Sequence, residues 1–182
     1  LIDTVTRTLR HLTFSVTRQS TPVRPTIATQ TMDQLSVRQA TLSDLDQLAL
    51  LFDQYRQFQG QAPDLTAATA FLRARFDHDE SAIFLASNGP QALGFAQLYP
   101  SFSSVSLQRV VILNDLFVAE GGRRQQVASR LLAAVEAYAW SHGACRITLN
   151  VARTNGAGQA LYETRGWKQD DQFFMYHRYP AS

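Results

Sequence analysis

From Leu35 onward, apolar and polar positions repeat with clear periods. "LSVRQA" alternates, which predicts a short strand. Leu42, Leu45, Leu48, Ala49, Phe52 and Tyr55 then recur at helical spacing. Thr41 precedes them as a cap, with Asp44 three residues on, a weaker form of the capping box. "GQAP" breaks this helix, and "DLTAATAFLRARF" predicts a second one, capped by Asp64 or Thr66. "SAIFLAS" and "QALGFAQLY" read as strands joined across Asn88-Gly89-Pro90, a hairpin. "PSFSSVS" reads as a loop. "LQRVVILNDLFV" is apolar almost throughout, which predicts a central strand covered on both faces.

"RQQVASRLLAAVEAYAWSHG" predicts a helix with Val127, Leu131, Val135 and Tyr138 on one side and Gly143 as its left-handed end. "CRITLNV" follows as a strand, "NGAGQALYETRGW" as a short helix stopped at Gly166, and "DQFFMYHRY" as a last strand. The order is strand, two helices, three strands, helix, strand, helix, strand. It implies an α/β (mixed α+β) fold, with a central mixed sheet and helices on both faces.

Composition narrows the class. A chain of 182 residues fits one domain, and 45% hydrophobic against 18% charged residues is enough for a full core. No apolar run approaches the roughly 18 residues of a membrane span. A formal charge of +2 is too small to point to nucleic acid. The single cysteine, Cys145, excludes an internal disulfide framework and suits a reducing compartment, so a cytoplasmic location is expected. Cys145 itself reads as a small core residue. His11, His78, His142 and His177 show no ligand spacing with one another or with Cys145, and no metal is expected.

Residues 1–31 differ from the rest. They are rich in Thr, Ser and Arg, and Met32 directly follows them. Three readings stand: sequence translated ahead of a start at Met32, an ordered extension, and a transit peptide. A non-catalytic extension over 1–31 and a single domain over 32–182 are expected. A nucleic-acid-binding arm through Arg7, Arg10, Arg18 and Arg24 carries little weight.

Two stretches carry chemistry. In "LNDLFVAEGGRRQQVASRLL" a buried strand runs through a tight loop into a helix N-terminus. Such a junction aims unpaired N–H groups and the positive end of the helix dipole outward, an anion site. Arg123 and Arg124 add charge. Neither G-x-x-x-x-G-K-[ST] nor G-x-G-x-x-G is present. The second stretch, "NGAGQALYETRGW", follows the next strand.

Together they resemble the GNAT superfamily of coenzyme A-dependent N-acetyltransferases. The first motif appears as Asp115-Leu116-Phe117-Val118, then Arg123-Arg124-Gln125-Gln126-Val127-Ala128. The second appears as Asn155, Gly158, Leu161-Tyr162-Glu163 and Gly166-Trp167. The resemblance covers about residues 35–180. Two positions depart from it: Gln126 replaces a glycine, and Gly158 an alanine. A glutamine is expected to keep a negative φ at that position.

The resemblance implies acetyl transfer from acetyl-CoA to the primary amine of a small molecule or peptide. It implies a sheet splayed between its fourth and fifth strands, with the pantetheine arm against Leu116, Phe117 and Val118. The amides from Arg123 to Ser129 would hold the pyrophosphate: Arg123, Arg124, Gln125, Gln126, Val127, Ala128 and Ser129. An N–H near Phe117 or Val118 would stabilise the oxyanion. Asn155 would hold the cofactor arm or the following helix. Tyr162 would protonate the departing thiolate.

Asp115 is a candidate base and equally a structural acceptor. Alternation puts Asn114 and Asp115 on opposite faces. Tyr55, Phe58, Tyr99 and Phe102 would wall the acceptor site. Homodimers occur in the family, and "QFFMYHRYP" is a candidate intersubunit strand. A non-catalytic acyl-CoA-binding or regulatory module is the alternative reading, since Gln126 alters the phosphate loop.

Overall fold

The sheet takes its strands in sequence order, β1-β2-β3-β4-β5. A computed structural model describes residues 35–180. The expectations for residues 1–31 lie outside the described residues. β1 (Leu35–Gln39) leads through a 3₁₀ turn (Leu42–Asp44) into α1 (Leu45–Phe58) and α2 (Leu65–Asp77). β2 (Ala82–Asn88), β3 (Gln91–Ser103) and β4 (Gln108–Val118) follow, then α3 (Val127–Ser141), β5 (Ala144–Thr148) and α4 (Gly156–Thr164). β1 to β4 pair antiparallel, and only β4 and β5 run parallel, as a strand–helix–strand crossover requires.

Each face of the sheet has its own core. α3 buries Val127, Leu131, Leu132, Val135 and Ala139 against Ala96, Leu98, Val111 and Leu113. The other face packs Leu48, Phe52, Ala68 and Leu72 of α1 and α2 on Ile83, Leu85, Phe95 and Phe117. Each fully buried leucine contributes about 1.5–3 kcal/mol. Helices on both faces are therefore found as the apolar periods predict.

Caps set the helix ends. The Asp64 side chain accepts from Ala67 N at 2.9 Å and starts α2. Asp44 accepts from Thr41 N at 2.9 Å and holds Arg38 in a two-pronged pair at 2.6 and 2.7 Å. Asp53, buried on α1, accepts from Asp64 N at 2.9 Å and Gln57 Nε2 at 2.8 Å, so it ties the two helices together. Gly143 and Gly166 sit at positive φ just past α3 and α4, as expected.

Three local expectations are corrected. "PSFS" continues β3 to Ser103, because β4 pairs with it through Gln108. Residues 171–179 form no strand; they join no ladder, and Phe173, Phe174, Met175, Tyr176 and Tyr179 are exposed. Cys145 lies on β5, whose pattern is largely exposed, and is not a core residue.

Candidate active site

The site starts with a change of partners along β4. Its pairing with β5 runs from Arg109 to Ile112 and ends at Thr148. Beyond Ile112, β4 continues for six residues paired with β3 alone, so its other edge is open. The splay between the fourth and fifth strands is therefore present. A cavity of about 380 Å³ occupies the gap, lined by Leu113, Asn114 and Leu116 on one side and Leu149 to Ala152 on the other. Tyr55, Phe58 and Gln59 of α1 close one end, and Asn155 and Tyr162 another.

A bulge sets which β4 side chains face this gap: Asn114 lines it and Asp115 does not. Gln97 of β3 faces Asp115, yet the next residue, Leu98, faces Leu113, so Asn114 is the extra residue. The register slip reverses the phase of the strand. Before it, Val111 and Leu113 face α3; after it, Leu116 and Val118 do. Asp115 is thereby turned with Phe117 toward α1. The expected strict opposition of Asn114 and Asp115 is corrected, since Asn114 Nδ2 donates to Asp115 Oδ2 at 3.0 Å.

Asp115 is buried without a cationic partner among the described residues. Burial pushes its carboxyl above the usual carboxylate range, against smaller opposing contributions from Asn114 and the Tyr55 hydroxyl. Tyr55 is pushed up to about 12, first by burial and then by the charge and hydrogen bond of Asp115. Burial likewise raises the phenol of Tyr162, which keeps it protonated at neutral pH.

α4 presents Tyr162 through contacts that hold its flanks. Asn155 Oδ1 accepts from Gly158 N at 3.0 Å and caps the helix. A Cβ at Gly158 would lie 2.8 Å from Asn155 Nδ2, so this capping arrangement suits the glycine that replaces the alanine. At the other end, Glu136 of α3 accepts from Arg165 Nη2 at 2.9 Å and Trp167 Nε1 at 3.1 Å. The Trp167 ring then packs 5.7 Å from that of Tyr162.

The loop from β4 to α3 forms the third part. Gly94 of β3 lies opposite Val118, where a Cβ would stand 2.5 Å from Phe117 O. Only glycine allows β3 to support the end of β4 so closely. Arg123, Arg124, Gln125 and Gln126 are exposed, with Arg123 Nε donating to Val118 O at 3.5 Å and Gln125 Nε2 to Gly121 O at 2.7 Å. Gln126 adopts φ 61° and Arg124 φ 60°. The expected negative φ at Gln126 is thus corrected: the glutamine takes the left-handed conformation that a glycine would take. A backbone turned this way gathers successive N–H groups into an anion-binding concavity. Arg130 N donates to Gln126 O at 2.9 Å, which leaves the amides of Val127, Ala128 and Ser129 at the open first turn of α3.

These parts fit coenzyme A. The open β4 edge offers main-chain donors and acceptors to an extended amide-bearing arm, and the α3 end offers amides to phosphates.

Tyr55 and Phe58 line the cavity, whereas Tyr99 and Phe102 do not. Tyr99 lies within reach of the Asp115 charge and of Arg75. Phe102 is 72% exposed on the β3–β4 hairpin, with the Arg109 guanidinium 5.1 Å above its ring. Gln59 and Leu149 to Ala152 join the lining without having been singled out from the sequence.

A family model described as "Acetyltransferase (GNAT) family" matches residues 45–167. An uncharacterized N-acetyltransferase of Bacillus subtilis, YhfO, is 45% identical over 142 residues, 78% of this chain and 95% of its own. A probable acetyltransferase of Haemophilus influenzae is 30% identical over 69% of this chain and 84% of its own. The crystal structure of a probable acetyltransferase superposes with a TM-score of 0.76 at 42% identity, covering 81% of this chain and 99% of that one. On this family match and these relatives, which share its splayed-sheet fold, the chain belongs to the GNAT family of acetyltransferases.

Proposed function

We propose that the protein transfers an acetyl group from acetyl-CoA to the primary amine of a small molecule or peptide by direct attack. The observation that carries this reading is the placement of a protonated phenol, Tyr162, in the cavity between the diverging strands, which is bounded on β4 by the bulge that aims Asp115. Acetyl-CoA supplies the acetyl group and a sulfur that needs a proton on leaving.

The chain's own groups do the rest. The β4 edge from Leu116 to Val118 orients the pantetheine arm. The amides from Arg123 to Ser129, with the two arginines, hold the pyrophosphate. Tyr162 delivers its hydroxyl proton to the sulfur. Asp115, uncompensated by a cation, accepts the proton that the amine loses. Tyr55, Phe58, Gln59 and Asn114 form an acceptor end that is aromatic and uncharged, which favours a compact amine with an apolar body.

Isothermal titration with acetyl-CoA, followed by turnover on an amine panel, tests the reading. Tyr162→Phe should lower kcat by about 10²–10⁴-fold while leaving acetyl-CoA affinity intact. An unchanged kcat removes Tyr162 as the acid. Binding without turnover on any amine supports the non-catalytic module instead.

A further inference from the structure

Glu136 stands on α3, outside the cavity lining, and its carboxylate holds two donors from the end of α4. Oε2 accepts from Arg165 Nη2 at 2.9 Å, and Oε1 from Trp167 Nε1 at 3.1 Å. The Arg165 contact is also an ion pair between two side chains that are each 25% exposed. Charge-assisted bonds of this kind are about twice as strong as neutral ones. Trp167 passes the hold to Tyr162 by two routes. Its backbone N–H donates to Tyr162 O at 3.1 Å, beside Gly166 N to Glu163 O at 2.9 Å, with Gly166 at φ 84°. This pairing ends α4 in a Schellman turn. The indole also packs on the Tyr162 ring, with centroids 5.7 Å apart and planes tilted by 51°.

Leu161, Tyr162 and Trp167 rest on the core that α3 builds. Apolar packing is non-directional and would let a short helix roll on its support. Two directed bonds to one carboxylate fix that roll. α3 is also the helix whose first turn presents the amides of Val127, Ala128 and Ser129. Glu136 lies roughly 14 Å further along it. Val127, Leu131, Leu132, Val135 and Ala139 bury that helix against the sheet, so its phosphate end and Glu136 belong to one rigid piece.

We propose that Glu136 is a positioning residue that sets the Tyr162 hydroxyl in register with the cofactor's sulfur, by tying the acid-bearing helix to the helix that grips the phosphates. The inference rests on the acetyl-transfer reading. Glu136 touches no reacting atom and moves no proton. Its effect is on distance, and a misplacement of about 1 Å costs about 10²-fold in rate. Cofactor affinity is set by main-chain groups at the far end of α3 and along β4, and is left alone.

Glu136→Ala tests this, with Glu136→Gln as the conservative variant, whose carboxamide oxygen still accepts from the indole. In ¹H–¹⁵N and aromatic NMR of the full chain without ligand, the Trp167 Nε1–H signal should move upfield and exchange faster in Glu136→Ala. The Tyr162 ring signals should move with it, and Glu136→Gln should lie between Glu136→Ala and the wild type. The kcat should fall by about 10–10²-fold in Glu136→Ala and by less in Glu136→Gln, with KM for acetyl-CoA unchanged. In a Tyr162→Phe background, Glu136→Ala should lower kcat no further, because no hydroxyl is left to place. Should Glu136→Ala fail to fold, Trp167→Phe, which keeps a ring and loses the indole donor, carries the same kinetic predictions. Multiplied effects in the double variant, a change confined to KM, or unmoved Tyr162 ring signals would each overturn the proposal. If the wild type turns over no amine, the acetyl-transfer reading falls, and the kinetic role of Glu136 falls with it. In that case the NMR comparison still decides whether Glu136 sets the position of Tyr162.

Discussion

Asp44 and Asp115 are exposed to almost the same small extent, 7% and 6%, yet their carboxyls are driven in opposite directions. Asp44 sits where β1 turns into α1, and the Arg38 guanidinium, helped by the Thr41 N–H, holds it down at about 2. Asp115 sits at the bulge of β4, where burial dominates and raises it. Surface exposure alone therefore does not determine the behaviour of an acid: Asp115 lies deeper among protein atoms than Asp44 and has no cation, and both differences push the same way. The turn from β1 into α1 gives its buried carboxyl a cation and backbone and hydroxyl donors. The region from β4 to α4 leaves a carboxyl without a cation, two non-glycine residues at positive φ and a strand edge without a neighbour. Those are costs to stability, and they gather where acetyl transfer is proposed.

The largest expected effect is on Asp115. Asp115→Asn should reduce kcat/KM by about 10²–10⁴-fold. The same change should raise the thermal midpoint at neutral pH, since a neutral amide of equal shape replaces a buried charge. Calorimetry beside steady-state kinetics reads both; a lowered midpoint would make Asp115 a structural acceptor like Asp44 and dissolve the contrast. Next comes Asp44→Ala, which should cost about 1.5–3 kcal/mol in urea unfolding with kcat per folded molecule preserved.

The two acids should also separate with pH. Asp44 has a depressed folded value, so its stabilisation is present above about pH 4 and is lost as pH falls through about 2. Asp115 has a raised one, so its contribution is lost as pH rises through its folded value and is regained on acidification. Acid unfolding of Asp44→Ala should therefore be the flatter curve. The smallest effect is expected at Gln126→Gly. Relief of the left-handed glutamine, less the greater chain entropy of glycine, should add up to about 1 kcal/mol. Acetyl-CoA should bind modestly more tightly by titration, and weaker binding would show that the Gln126 side chain takes part.

Much of this was legible in the sequence because it is local. Helical periods marked α1, α2 and α3, and the fixed positions around Tyr162 marked a family. What escaped depends on pairing between distant segments. The bulge at Asn114 has no signature within "VILNDLFV"; it exists only against Gln97 and Leu98. The hold of Glu136 on Arg165 and Trp167 spans about thirty residues and leaves no spacing to read. "DQFFMYHRY" shows the composition of a strand, but composition supplies no neighbour, and the ladder ends at β5. Gln126 misled because side-chain preference was set against backbone geometry, and here the loop imposed the geometry.

Asn114 acts less by its own chemistry than by being counted. Pairing the intact strand regularly, with Asn114 opposite Gln97, would rotate Asp115 toward α3 and send Leu116 into the aromatic cluster around Phe95, whereas deleting Asn114 would leave both on their present sides. A point substitution at position 114 keeps the count and so keeps both sides of the strand, whereas adding a residue to β3 opposite it would turn the loop-ward half of the ladder into a regular one of greater length.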